Sequence, residues 1–106
     1  MTGAGPSFAQ DGAAVFEVRC RSCHAREAGA EPGPGPNLAG LGGRRIGGDP
    51  NYDYSPALER AAGAWDAARL ERWLREPDDE IPGNFMGNAL RDPAERAALV
   101  RMLLGP

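Results

Sequence analysis

The chemistry of this chain is concentrated in CRSCH, Cys20 to His24, which holds both cysteines and the only histidine among 106 residues. Two cysteines separated by two residues point to three kinds of site. A thioredoxin-like redox pair needs a βαβ setting, and no strand-like alternation flanks the motif. Half a zinc site needs more ligands to reach four, and neither a third Cys nor a second His exists. Covalent haem attachment, C-x-x-C-H, also accounts for the adjacent His. In that reading the thiols of Cys20 and Cys23 add to the two haem vinyl groups. The turn between them presents His24 to the iron from one face, and His24 supplies the proximal nitrogen.

A haem iron that carries electrons needs a second axial ligand, and the methionines are the candidates. Met1 is terminal. Met102 sits in RAALVRMLL at helical spacing with Leu99 and Leu103, which reads as core. Met86 sits in IPGNFMGN, where Pro82, Gly83 and Gly87 break any helical stripe, so a loop holds its thioether apart from the core pattern. Met86 is therefore the expected ligand.

Helices must position these groups. DGAAVFEVRCRSCH predicts a first helix capped by Asp11, with Gly12, Phe16 and Cys20 on one face and Gly12 open to close approach by another helix. SPALERAAG predicts a short helix, capped by Ser55 and ended by Gly63. WDAARLERWLREP predicts a third, with Leu70, Trp73 and Leu74 on one stripe and Pro77 as its stop. RDPAERAALVRMLL predicts a last helix: Asp92 caps, Pro93 starts it, and Glu95 completes a capping-box arrangement. Between the first two helices, residues 25–53 form a long segment rich in Gly and Pro. A loop of that length in a small domain has a function such as wrapping a flat cofactor.

Length predicts one domain over residues 1–106, with residues 1–10 as a loosely ordered N-terminal segment. A net charge of -3 excludes nucleic acid as an expected partner. All 12 cationic Lys/Arg side chains are Arg. No apolar run approaches a membrane span, and MTGAGPSFAQ lacks the apolar region of a secretory leader.

These residues resemble the class I cytochromes c, in particular the mitochondrial-type cytochrome c family and its bacterial relatives. The resemblance runs from about Asp11 to Leu104. It rests on Gly12 and Phe16 ahead of CRSCH, on GPNLAGLGGR, and on YSPAL, Trp65, LREP, IPGNFM and the final Leu99 and Met102, all in the family's order. It implies an all-α fold of roughly four to five helices, with long Gly/Pro-rich loops wrapped around one haem c per chain. The first and last helices would cross at Gly12, Phe16, Leu99 and Met102. It implies His24 and Met86 as iron ligands and the Pro36 carbonyl as acceptor of the His24 Nδ1 proton. Arg44, Tyr54 and Trp65 would hold a propionate.

The chain also departs from the family pattern. Trp73 stands where the family often has a Tyr near the Met sulfur. Leu58 and Asn84 stand where it often has Asn and Thr. Trp73 and Asn84 complete the expected cofactor-binding set, with an altered and drier internal network. Arg19, Asp78, Asp79 and Phe85 replace family lysines around the exposed haem edge.

The implied function is a soluble electron carrier, not an enzyme, cycling Fe(III)/Fe(II). Alternatives are an electron-entry or exit domain of a dehydrogenase or oxidase, and a ligand-binding or peroxidase-like haem protein with a labile Met. Expected partners are redox proteins with a basic or largely apolar docking surface. Haem c maturation places the chain in the bacterial periplasm, with a leader removed or replaced; the mitochondrial intermembrane space is the alternative.

Overall fold

The computed structural model describes residues 7–105. The chain there forms a 3-10 turn, Phe8–Gln10, and five α-helices: α1 (Gly12–Arg19), α2 (Pro56–Arg60), α3 (Ala67–Arg75), α4 (Pro77–Glu80) and α5 (Pro93–Leu104). The fold is all-helical, and the one strand-like feature among the described residues is an isolated bridge between Arg45 and Ala64. Residues 1–6 of the expected loose N-terminal segment lie outside the described residues.

Side-chain oxygens satisfy helix starts that would otherwise leave amides without partners. Asp11 Oδ1 accepts from Ala14 N, Ser55 Oγ from Leu58 N, Asp66 Oδ1 from Arg69 N and Asp92 Oδ1 from Ala94 N. Proline begins α2, α4 and α5, where its missing N–H costs nothing.

The core lies where α1, α5 and α3 meet. Val15, Phe16 and Leu99 are fully buried, and Leu70, Trp73 and Leu74 of α3 join them. The crossing of α1 and α5 is close because Gly12 has no side chain. A Cβ built there would stand 2.4 Å from the Ala98 carbonyl oxygen and 2.6 Å from Met102 Cβ.

Four local expectations change. The first helix stops at Arg19: Cys20 leaves helical geometry at φ -122, and a tight turn carries Cys20–Cys23 instead. The second stops at Arg60 rather than reaching Gly63. Pro77 does end α3, with Glu76 before it held out of helical geometry at φ -145, but it also starts α4, which the acidic run PDDE concealed. Glu95 makes no capping box. Its buried carboxylate accepts from Arg19 Nε of α1 at 3.0 Å.

Arg96, also buried, joins three pieces. Its Nη1 donates to the carbonyls of Leu90 and Arg91, each at 2.9 Å, and its Nε pairs with Glu71 of α3. Leu90 N in turn donates to Leu74 O at 2.7 Å. The segment after Met86 is thereby fixed to α3 and α5.

Gly12→Ala should lower stability by about 1–3 kcal/mol, the usual cost of overpacking. The atoms it would meet are backbone and a Cβ, which cannot swing aside. Urea unfolding of the holoprotein checks this; an unchanged midpoint would mean that α1 and α5 separate at no cost.

Candidate functional site

The turn after α1 is built from backbone bonds that return to Cys20: Cys23 N and His24 N both donate to Cys20 O, at 3.0 and 2.9 Å. Cys20 and Cys23 form no disulfide with each other, and both are half-buried. Burial, with the Cys23 thiol beside it, pushes the Cys20 thiol up to about 11.

His24 is placed by two features of GPGPN. Its Nδ1 lies 2.8 Å from the Pro36 carbonyl, which can only accept, so Nδ1 carries the proton. In the neutral imidazole Nε2 is then unprotonated and available to a metal. Burial lowers the His24 pKa, and the bond to Pro36 opposes that shift. Gly35 packs on the ring itself: a Cβ there would fall 2.4 Å from Cε1 and 2.7 Å from Nδ1.

The loop that supplies Gly35 and Pro36 is closed by Asn37. Its buried amide donates to the carbonyls of Glu27 (2.8 Å) and Ala30 (3.1 Å), and its Oδ1 accepts from Ala39 N (2.8 Å). Leu38 N donates to Ala25 O at 2.8 Å, so residues 25–38 fold back on themselves and return to His24.

These groups line a cavity of about 550 Å³, within the range of pockets that enclose small ligands, roughly 300–1,000 Å³. Cys20, Cys23, His24, Pro36, Arg44, Tyr54, Trp65, Trp73 and Met86 all line it. Of the sequence-expected set, Asn84 stands outside the lining residues. Its amide instead bonds the chain around it. Met102, read as core, packs where α5 crosses α1 and is likewise outside the cavity wall. Ser55, Leu41, Leu90 and Leu103 add walls that sequence reasoning did not assign. For Ser55 only a helix-capping signal was visible.

Trp65 and Trp73 meet edge to face, with ring centroids 5.7 Å apart, and Tyr52 meets Tyr54 the same way at 4.9 Å. Tyr54 Oη accepts from Asp49 N at 3.0 Å, which leaves its own proton free to donate. Burial raises the Tyr54 pKa, so that proton stays in place at neutral pH.

The cavity suits a large, mainly apolar group with an anionic edge. Arg44 Nη1 reaches Ala39 O at 3.3 Å, while its buried Nε has no hydrogen-bond partner among the described residues. A buried cationic donor without a partner is costly, and a carboxylate in the cavity would satisfy it. Two thiols and an imidazole on one turn, aromatic and leucine walls, and this donor together fit a haem with its propionates.

A family model described as cytochrome c matches residues 9–104. The chain belongs to the cytochrome c family. It is similar to cytochrome c2 iso-1 of Magnetospirillum molischianum, at 43% identity over 88 residues, covering 80% of this chain and 87% of that one. Cytochrome c2 of Agrobacterium tumefaciens is 41% identical over 88% of this chain and 86% of its own. Cytochrome c of Sesamum indicum is 39% identical over 92% of this chain and 89% of its own. As a cytochrome c the chain is a monohaem electron carrier with covalent haem c, and it works with redox partners. No helix among the described residues is long and apolar enough to cross a membrane.

Gly35→Ala should displace the His24 ring and weaken its bond to Pro36, since the added methyl would overlap three ring atoms. The expected result is a shifted haem spectrum at unchanged covalent haem content. A wild-type spectrum would show that the ring does not rest on Gly35.

Proposed function

We propose that this cytochrome c carries single electrons with His24 and Met86 as the axial pair and with Arg44, Tyr54 and Trp65 around the propionates. The observation that carries this reading is the convergence of His24 and Met86, from the turn after α1 and the loop before α5, on one cavity that excludes Met102. When bound, haem c supplies reversible Fe(III)/Fe(II) chemistry, and a thioether opposite an imidazole raises its potential. The chain's own part is to hold and insulate. Pro36 fixes the tautomer and orientation of His24, and such a bond raises ligand basicity. Leu70, Leu74, Leu90 and Leu99 keep water from the cavity, and an apolar surround favours the less charged, reduced state. Arg44 and the Tyr54 hydroxyl offer donors to a carboxylate that would otherwise be costly to bury.

Met86→Ala should abolish the long-wavelength sulfur–iron charge-transfer band of the oxidised protein. Met102→Leu should keep it, because a volume-conserving core swap costs little. The reverse outcome assigns the ligand to Met102.

The partner surface follows from charge around the cavity mouth. Val18 and Phe85 line the cavity and are 64% and 75% exposed. The arginines of α1, of the Cys20–Cys23 turn and of α3 are paired with carboxylates. Arg19 pairs with Glu95, and Arg21 pairs with both Glu17 and Glu27. Arg21 holds Glu27 down to about 2. Arg69 and Arg72 both pair with Glu80. Asp78 and Asp79 are exposed, with no ion pair among the described residues. This arrangement supports a redox partner that presents a basic or largely apolar surface. The bacterial periplasm is the compartment we assign, from the chemistry of haem c maturation and the absence of Lys, with the mitochondrial intermembrane space as the alternative. Residues 1–106 are read as one haem domain.

Electron transfer to a basic-surfaced test protein should slow as salt rises, because steering between opposite charges is screened. Replacing Asp78 and Asp79 together by Lys should reverse that dependence. Rapid reaction with an acidic-surfaced oxidase, slowed by salt, would overturn the assignment.

A further inference from the structure

Asn84 precedes Met86 by two residues and does not line the cavity. Its side chain nevertheless uses both amide hydrogens and one lone pair of its oxygen. Nδ2 donates to the carbonyls of Pro77 (3.0 Å) and Ile81 (2.9 Å) and lies 3.1 Å from Asp78 Oδ1; Oδ1 accepts from Gly87 N at 2.9 Å. An amide NH₂ has two hydrogens, so one of the three acceptors shares.

The result is a closed ring of chain. Gly87 is pulled back onto residue 84, and only Phe85 and Met86 lie between the bonded residues. Three of the contacts run to residues 77, 78 and 81, in or just after α4, and Pro77 is itself buried. Beyond Met86 the chain is fixed again, by Leu90 N on Leu74 O and by Arg96 on the carbonyls of Leu90 and Arg91. Met86 therefore sits on a short arc clamped at both ends. For its thioether to withdraw, the arc must open, and the Asn84 bonds are the ones nearest to it that must break.

We propose that Asn84 is a positioning residue that sets how readily Met86 is withdrawn from the iron. This rests on Met86 as the axial ligand. An outside ligand can bind only the opened fraction of the protein, so its apparent affinity is its intrinsic affinity scaled by that fraction. Asn84 keeps the fraction small through bonds that contribute a modest net free energy each. Asn84→Ala removes them all. Asn84→Asp keeps the acceptor for Gly87 N–H but loses the donors.

The test is an imidazole titration of the oxidised holoprotein, followed by loss of the sulfur–iron charge-transfer band. Asn84→Ala should bind imidazole about tenfold more tightly than wild type, the factor carried by about 1.4 kcal/mol, and Asn84→Asp, which sets a carboxylate oxygen against the Pro77 and Ile81 carbonyls and Asp78, should bind at least as tightly as Asn84→Ala. Amide exchange at Gly87 should accelerate by a similar factor. Val15→Ala, in the core and outside the cavity wall, should lower overall stability yet leave imidazole affinity unchanged. If wild type lacks the band, the Met86 reading itself fails. If the band is present but Asn84→Ala titrates as wild type, or Val15→Ala tightens imidazole binding equally, Asn84 has no positioning role.

Discussion

Gly12 and the Ala98 carbonyl approach more closely than any side chain at position 12 would allow, and both halves of the haem site are referenced to that contact. The axis of α1 fixes where the Cys20–His24 turn emerges. The position of α5 fixes Arg96, which grips the end of the Met86 loop, and Glu95, which accepts from Arg19 on α1. A small domain has little core to spend on holding two distant ligands in register. Here one helix crossing serves both, and α3 completes the frame through Leu74 and Glu71.

Much of this was legible because its signals are local. The caps at Asp11, Ser55 and Asp92 announce helix starts by residue type alone, and the stripe of Leu70, Trp73 and Leu74 announces a buried face. CRSCH carries its chemistry in five consecutive residues. What stayed hidden depends on partners distant in sequence or on a residue with two roles. Glu95 has the spacing of a capping box, but its actual partner, Arg19, is 76 residues away in sequence. Pro77 reads as a stop, and the helix it also begins is too short for periodicity to reveal. Asn84 occupies a position that suggests a cofactor contact, yet its amide finds nearer carbonyls on α4. Gly35 is one glycine among 15, and nothing in GPGPN says which one must yield to an imidazole ring.

Charge is distributed with the same economy of position. Several arginines are committed to carboxylates on the protein itself: Arg19 to Glu95, Arg21 to Glu17 and Glu27, Arg72 to Glu80. Such pairs at the surface add little stability. They neutralise those cations locally, while Val18 and Phe85 of the cavity lining are exposed and Asp78 and Asp79 of α4 are exposed without an ion pair among the described residues.

The pairing of α1 with α5 also governs how the chain can assemble. Docking those helices closes residues 20–92 into a single loop, a strongly non-local event of the kind that slows folding. Once that closure is made, its entropic cost rises by only about 0.6 kcal/mol for each doubling of loop length. The exposed turns within the Gly- and Pro-rich stretch of residues 25–53 can therefore lengthen or shorten cheaply, as long as Gly35, Pro36 and Asn37 still return to His24, Leu41 and Ile46 stay in the core and Arg44 stays at the cavity. A haem tethered at Cys20 and Cys23 would follow the end of α1, so the walls from the rest of the chain would assemble around a group already attached.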